Sequence, residues 1–174
     1  MKKHIWLPAL AVILAACALL GLRGILGATA KENARKDHLQ LMQTLLPGST
    51  SFTLEAETWE DPNILSVHKG QTGFVVQTRV QGYADSVTVF VGVSNAGKVT
   101  GLTVSDAHET LGLGSKILTD HAFLAQYLQT DGDAQVDAIT GATVTSKAIT
   151  RSVNSAVAYV TGADIDSGAT SWGG

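Results

Sequence analysis

From Ile5 to Leu22 the chain runs through 18 residues without a charged side chain. As a helix, that run spans about 27 Å, enough to cross the hydrocarbon core of a bilayer. Everything else must fold in the residues after it, and Gly27 to Gly174 suffices for one domain with its own core. Pro8 falls in the first turn of the run, where its missing N–H costs little. Arg23 can snorkel to the interface, which lets Ile25 and Leu26 extend the apolar surface. Lys2 and Lys3 precede the run while Arg23, Lys31, Arg35 and Lys36 come after it, so the basic residues alone leave its orientation open. Long domains translocate largely regardless of charge, which favours a short inside tail and an outside domain. A competing reading sits within the run: Leu14-Ala15-Ala16-Cys17 has the form of a bacterial lipoprotein cleavage box, with Cys17 as the lipid carrier. The apolar continuation Ala18 to Leu22 favours a retained helix.

Composition removes several classes of function. The single cysteine, Cys17, rules out an internal disulfide and supports neither a cysteine-ligated iron–sulfur cluster nor a zinc site. His4, His38, His68, His108 and His121 show no metal-ligand spacing, so no metal site is expected. Setting aside Lys2, Lys3 and Arg23 from the 12 basic residues leaves 9 against 15 acidic ones, a net charge of −6 that does not suit nucleic acid. No Gly-x-Gly-x-x-Gly turn joins a strand to a helix, so NAD binding by this chain is not indicated.

The periodicities predict an α+β domain, a twisted antiparallel sheet with helices packed on it. Lys31 to Leu46 reads as a helix with Leu39, Met42, Leu45 and Leu46 on an apolar stripe, stopped by Pro47-Gly48. That stripe faces either its own domain or a partner helix. Pro62-Asn63 and Lys69-Gly70 mark turns, and Phe74 to Val80 is a strand. Val87 to Val93 and Val99 to Val104 are alternating β-branched runs about Asn95 to Lys98, the pattern of a hairpin. Thr119 to Leu128 reads as a short helix, with Phe123, Leu124, Tyr127 and Leu128 as core contacts. In Val144 to Val160, Ala148, Ile149, Val153, Ala156, Val157 and Val160 recur at three- and four-residue steps, while Lys147, Thr150, Arg151 and Asn154 fall elsewhere. From Gly162 the tail is rich in glycine and serine and has no periodicity.

The stretch that carries chemistry is Asp137-Ala138-Ile139-Thr140-Gly141-Ala142-Thr143, running into that last helix. Gly141 and Ala142 leave room for a ligand to approach the backbone. The first N–H groups of a helix lack internal partners and, with the helix dipole, favour an anion. Thr143 stands where they converge. The plainer alternative is that Thr143, Thr145 or Ser146 is an ordinary N-cap. Upstream, His108-Glu109-Thr110-Leu111-Gly112-Leu113-Gly114-Ser115-Lys116 places two glycines about a leucine, which permits backbone to approach a flat ring.

Taken together, these segments resemble the FMN-binding domain family. Asp137 to Thr143 is similar to its flavinylation motif, Asp-x-x-Ser/Thr-Gly-Ala-Thr/Ser, whose last hydroxyl is esterified to the phosphate of FMN by a flavin transferase that uses FAD. Glu109 to Gly114 resembles the family's Glu-Thr-Pro-Gly-Leu-Gly loop, with Leu111 in place of the usual proline. The hairpin from Gly82-Tyr83 onward resembles the one that precedes that loop, and the likeness extends over roughly Gly73 to Val160. The resemblance implies covalent FMN on Thr143. It implies Thr140, Gly141 and Ala142 beside the phosphate. Thr140 and Thr145 or Ser146 are candidates to hydrogen-bond near it and Lys147 to offset its charge, with a plain capping or solvent role as the alternative for each. The resemblance places Glu109, Thr110, Leu111, Gly112, Leu113 and Gly114 beside the flavin, and gives no residue a catalytic acid or base role.

The implied function is electron carriage on the extracytoplasmic side of a bacterial inner or cell membrane, as one subunit of a membrane redox complex matured by a flavin transferase. Within the family, the chain's size and single N-terminal helix resemble a subunit of ion-translocating ferredoxin:NAD oxidoreductases. The runner-up is the longer corresponding subunit of sodium-pumping NADH:quinone oxidoreductases. A membrane-anchored binding module without flavin is the reading from a different class. The expected organisation is a short tail and transmembrane helix in residues 1–28 and a membrane-proximal helix with its connecting segment in residues 29–72. The FMN-binding core comes next in residues 73–161, and a flexible tail in residues 162–174.

Overall fold

The computed structural model describes residues 30–55, 59–83, 85–105, 120–132, 136–139 and 141–163. The apolar run Ile5–Leu22 with Cys17, the loop Glu109–Gly114, Thr140 and the tail beyond Ala163 lie outside the described residues. Among the described residues, no helix is long and apolar enough to cross a membrane. The chain divides into two compact units, Met1–Gln40 and Leu41–Gly174. Helix α1 comprises residues 30–45. Its portion in the first unit is largely exposed, and there Glu32 pairs with Arg35 at 3.4 Å and Lys36 at 3.8 Å, one helical turn away.

The second unit is built on a five-stranded antiparallel sheet whose spatial order is its chain order: β1 (Thr53–Leu54), β2 (Ile64–Lys69), β3 (Gly73–Gln81), β4 (Ser86–Ser94) and β5 (Val99–Ser105). With the helices α2 (His121–Ala125) and α3 (Thr143–Thr161), this is the expected α+β class. The strand expected over Phe74–Val80 and both arms of the hairpin are present. In the turn between those arms, the Ser94 N–H donates to the Lys98 carbonyl at 2.8 Å and the Gly97 N–H to the Ser94 carbonyl at 2.9 Å. Pro62-Asn63 forms the expected turn too, held by Asp61 Oδ1, which accepts from the Asn63 backbone N–H at 2.8 Å.

Strand β2 has no counterpart among the sequence expectations. Its pairing with β3 shifts register between Ile64 and Ser66, so two residues face one partner and the two-residue alternation is lost. Only Ile64 and Val67 in it are buried, and Leu65 points outward.

Strand β4 forms the centre. Val87, Val89, Val91 and Val93 are all fully buried and share a core cluster with Ala148, Ile149, Val153, Ala156 and Val157 of α3, so the predicted apolar face of that helix lies on β3 and β4. Alternation sends Thr88, Phe90 and Gly92 to the opposite face. There the last turn of α1 comes down on the sheet. Met42, Leu45 and Leu46 are buried, as the stripe predicted for packing within its own domain. The Leu45 carbonyl, left open at the helix end, accepts from Thr100 Oγ1 at 2.6 Å. Gly92 and Gly101 face each other across β4 and β5. A Cβ at Gly92 would fall on the Leu45 carbonyl, and one at Gly101 would lie 3.1 Å from the Leu45 Cα.

This close approach of backbone to backbone demands glycine. Gly92→Ala is expected to lower stability by about 2–3 kcal/mol, read as a lower denaturant midpoint with an unchanged slope. A midpoint equal to the parent's would show that the α1 turn shifts without cost.

Candidate functional site

The direction of α3 sets where its N-terminus falls. At its far end, a Cβ on Gly97 would strike the Thr161 side chain, so the helix finishes beside the β4–β5 turn. Tyr159, two residues earlier, packs edge-on against Phe74 and Trp59 at ring separations of 5.9 and 5.4 Å. Nineteen residues of helix cover about 28 Å, close to the roughly 30 Å length of nine-residue β4. The helix therefore begins at the opposite end of the sheet. Ser86, where β4 starts, and Ser105, where β5 ends, are paired with Gln81 and Thr88 at that same end.

Approach to the helix is by a tight turn. The Ala142 N–H donates to the Ile139 carbonyl at 2.9 Å, and Gly141 takes a positive φ of 84°, a conformation open to glycine at little cost. Ala142, with φ −128° and ψ 30°, is the N-cap residue, and among the described residues no side chain makes a capping hydrogen bond there. The first intrahelical bond runs from the Ser146 N–H to the Ala142 carbonyl at 3.0 Å. The amides of Thr143, Val144 and Thr145 thus stand ahead of the helical ladder. This corrects the ordinary N-cap alternative: Thr143 is the first helical residue and does not cap, Thr145 is the third, and Ser146 comes after it. Ser146 Oγ instead donates back to the Ala142 carbonyl at 3.0 Å.

Two of the positions differ sharply in exposure. Thr143 is exposed, whereas Thr145 is 1% exposed, and its Oγ1 has no hydrogen-bond partner among the described residues. Gly141 is exposed and Ala142 buried. Of the remaining expected site residues, Thr140, Glu109, Thr110, Leu111, Gly112, Leu113 and Gly114 lie outside the described residues.

A buried polar chain anchors this end of α3 from behind. Thr150 Oγ1 donates to the Ser146 carbonyl at 3.1 Å, which leaves its lone pairs to accept from the Tyr127 hydroxyl at 2.7 Å. Burial pushes the Tyr127 phenol up in pKa, against a smaller lowering by the Thr150 bond, so it stays protonated and donating. Phe123 packs edge-on to the Tyr127 ring at 5.5 Å. α2 is shorter than expected, but its Asp120 caps it by accepting from Ala122 and Phe123. Leu128, expected in the core, is 43% exposed, because the chain turns out of the helix before reaching it. Just ahead of the acceptor turn, the Asp137 N–H donates to Gln126 Oε1 at 2.8 Å.

The apolar stripe predicted one buried face on α3, yet Thr150, Ser152, Asn154 and Ser155 are buried as well. Thr150 could have been flagged by its four-residue step from Ser146, but its partner Tyr127 is 23 residues away and carries no local signal.

Such an arrangement can hold an anion: a small exposed hydroxyl, three open amides at the positive end of a 19-residue helix, and a rigid mounting. The residues fit a phosphate ester at Thr143.

The model of the FMN-binding domain family matches residues 82–158, from the β3–β4 turn to the end of α3. This places the chain among proteins carrying an FMN-binding domain. The G subunit of the Na(+)-translocating ferredoxin:NAD(+) oxidoreductase complex of Acetobacterium woodii is 28% identical over 172 residues, covering 82% of this chain and 83% of the relative. The G subunit of the ion-translocating oxidoreductase complex of Methanosarcina acetivorans is 31% identical over 139 residues, covering 70% and 73%. Its counterpart in the proton-translocating ferredoxin:NAD(+) oxidoreductase complex of Clostridium ljungdahlii is 34% identical over 99 residues, with about half of each chain covered. The chain belongs to the family of G subunits of ion-translocating oxidoreductase complexes.

Tyr127→Phe removes one donor from the anchoring chain and leaves the Thr150 bond to Ser146 in place. It is expected to cost about 1 kcal/mol in chemical denaturation. A Phe variant as stable as the parent would mean the phenol contributes only its ring.

Proposed function

We propose that this chain is an electron-carrying subunit of a membrane-bound ion-translocating ferredoxin:NAD oxidoreductase, with FMN attached through a phosphoester to Thr143. The observation that supports this most is the exposed Thr143 on the first residue of a long helix that no side chain among the described residues caps. Attachment by a flavin transferase joins Thr143 Oγ1 to the flavin-side phosphorus of FAD, breaks the pyrophosphate bond, and releases AMP and the hydroxyl proton. The resulting diester keeps one negative charge, which the open amides of Thr143, Val144 and Thr145 stabilise.

Thr140, Gly141 and Ala142 would hold the phosphate, and Glu109, Thr110, Leu111, Gly112, Leu113 and Gly114 would hold the isoalloxazine. Bound flavin supplies one-electron and two-electron transfer, so the subunit links partners of both kinds. No residue here is assigned as an acid or base. The chain's part is to hold the ring in place and set its potential. A covalent tether also keeps the cofactor from being lost outside the cell.

The apolar run Ile5–Leu22 is read as the single membrane span, with the sheet domain on the extracytoplasmic side and the other subunits of the complex as its partners. The three relatives, each a G subunit of an ion-translocating oxidoreductase complex, support the other subunits as partners.

Produced with the transferase, the parent chain is expected to give a fluorescent band in a denaturing gel, and Thr143→Ala none. A fluorescent band from the Ala variant would move the acceptor elsewhere, and a colourless parent chain would favour a binding module without flavin. Intact mass of the same material should include the residues ahead of Cys17. A mass that begins at a lipid-modified Cys17 would replace the membrane span with a lipid anchor.

A further inference from the structure

Three buried hydroxyls on α3 have no hydrogen-bond partner among the described residues: those of Thr145, Ser152 and Ser155. A buried hydroxyl left unmatched is costly, so each calls for an explanation. Ser152 and Ser155 lie two to three turns into the helix, where every backbone amide is engaged in the ladder. Thr145 alone lies in the first turn, where the amides are open.

Its own N–H is the last of those open amides. An anion that accepts this N–H comes within reach of the hydroxyl borne by the same residue, because every helical Cα–Cβ bond leans toward the N-terminus. The neighbouring alternative is already spent. Ser146 Oγ is committed to the Ala142 carbonyl, whereas Thr145 Oγ1 donates to nothing among the described residues. A helical threonine ordinarily settles its hydroxyl on a carbonyl three or four residues back, and Thr145 does not.

Building on the reading that Thr143 carries the FMN phosphate, we propose that Thr145 is the side-chain donor of that site. Its hydroxyl donates to a phosphate oxygen of the ester, alongside the first-turn amides. Thr145 is thus a positioning residue. It fixes the phosphate over the helix axis, while Thr143 supplies the covalent bond. Without the ester, the hydroxyl has no partner among the described residues; with it, the first turn is complete.

The test compares Thr145→Val, which keeps the shape and loses the donor, with Thr145→Ser, which keeps the donor. Each is produced with and without the flavin transferase. Before loading, the Val variant should melt at or above the parent temperature, because an unmatched hydroxyl has been replaced by a methyl group. A residue with a merely structural hydroxyl would lower it. On loading, the parent and Ser chains should gain stability, and the gain in the Val chain should be smaller by about 4 °C. The phosphorus resonance of the diester should move in Val and stay near the parent position in Ser. Failure of Val to load where Ser loads also supports the assignment.

Equal loading gains and an unmoved phosphorus resonance in the Val chain would overturn the role of Thr145 and leave the attachment at Thr143 standing. Loss of loading in both variants would overturn it too, as a packing effect. A parent chain that takes up no flavin would remove the attachment and this role together, and intact mass of the parent reveals that case first.

Discussion

The packing of α3 lengthwise on β3 and β4 is the constraint on which the other features depend. Four fully buried valines at alternate positions of β4 meet Ala148, Ile149, Val153, Ala156 and Val157, and the small residues let the helix lie close. Because the helix nearly matches the strand in length, seating its C-terminal end beside Gly97 delivers its first turn to the other end of the sheet. Neither end can slide without opening the core. The opposite face is tied down as firmly by the last turn of α1, through the paired glycines and the bond from Thr100 to Leu45. The exposed Thr143 at the head of α3 therefore sits on a helix packed along its length on β3 and β4. That is what a tethered cofactor requires if its distance to partners is to stay constant.

Much of the fold could be read from the residues, and the limits of that reading have physical causes. β4 announces itself because a valine stands at every second position from Val87 to Val93, β3 and β5 because they are rich in β-branched residues, and the turn at Asn95 to Lys98 carries glycine where φ is positive. β2 is silent because a bulge breaks its alternation after Ile64 and leaves two buried side chains in six residues. The stripe on α3 correctly marked its apolar face. It could not reveal that Thr150, Ser152, Asn154 and Ser155 are covered as well, since amphipathic periodicity reports which residues prefer the core and not how much surface a neighbour conceals.

The candidate site divides in the same way. Thr143 was legible as the last residue of a motif, and its exposure at the first helical position agrees with that reading. The motif alone did not separate acceptor from cap, because threonine and serine at a helix start serve either purpose. The fold removes the cap role from all three: the cap position belongs to Ala142, Ser146 donates to the Ala142 carbonyl, and Thr145 is buried in the third helical position. The support from Tyr127 through Thr150 could not be read at all, as it joins residues whose proximity exists only after the chain has folded.

The connectivity of the sheet has a bearing on anything that must recognise Thr143. Each strand pairs with its neighbour in the chain, so the sheet is assembled from hairpins, but the β4 valines that seat α3 precede it by fifty or more positions, and its anchor Tyr127 lies 23 positions before Thr150. The support of the first turn of α3 thus comes from residues outside the motif, while a short helix cut from that support is marginal in water. A synthetic peptide copying Asp137 to Val160 would reproduce the letters of the motif and lack the surface that presents its threonine.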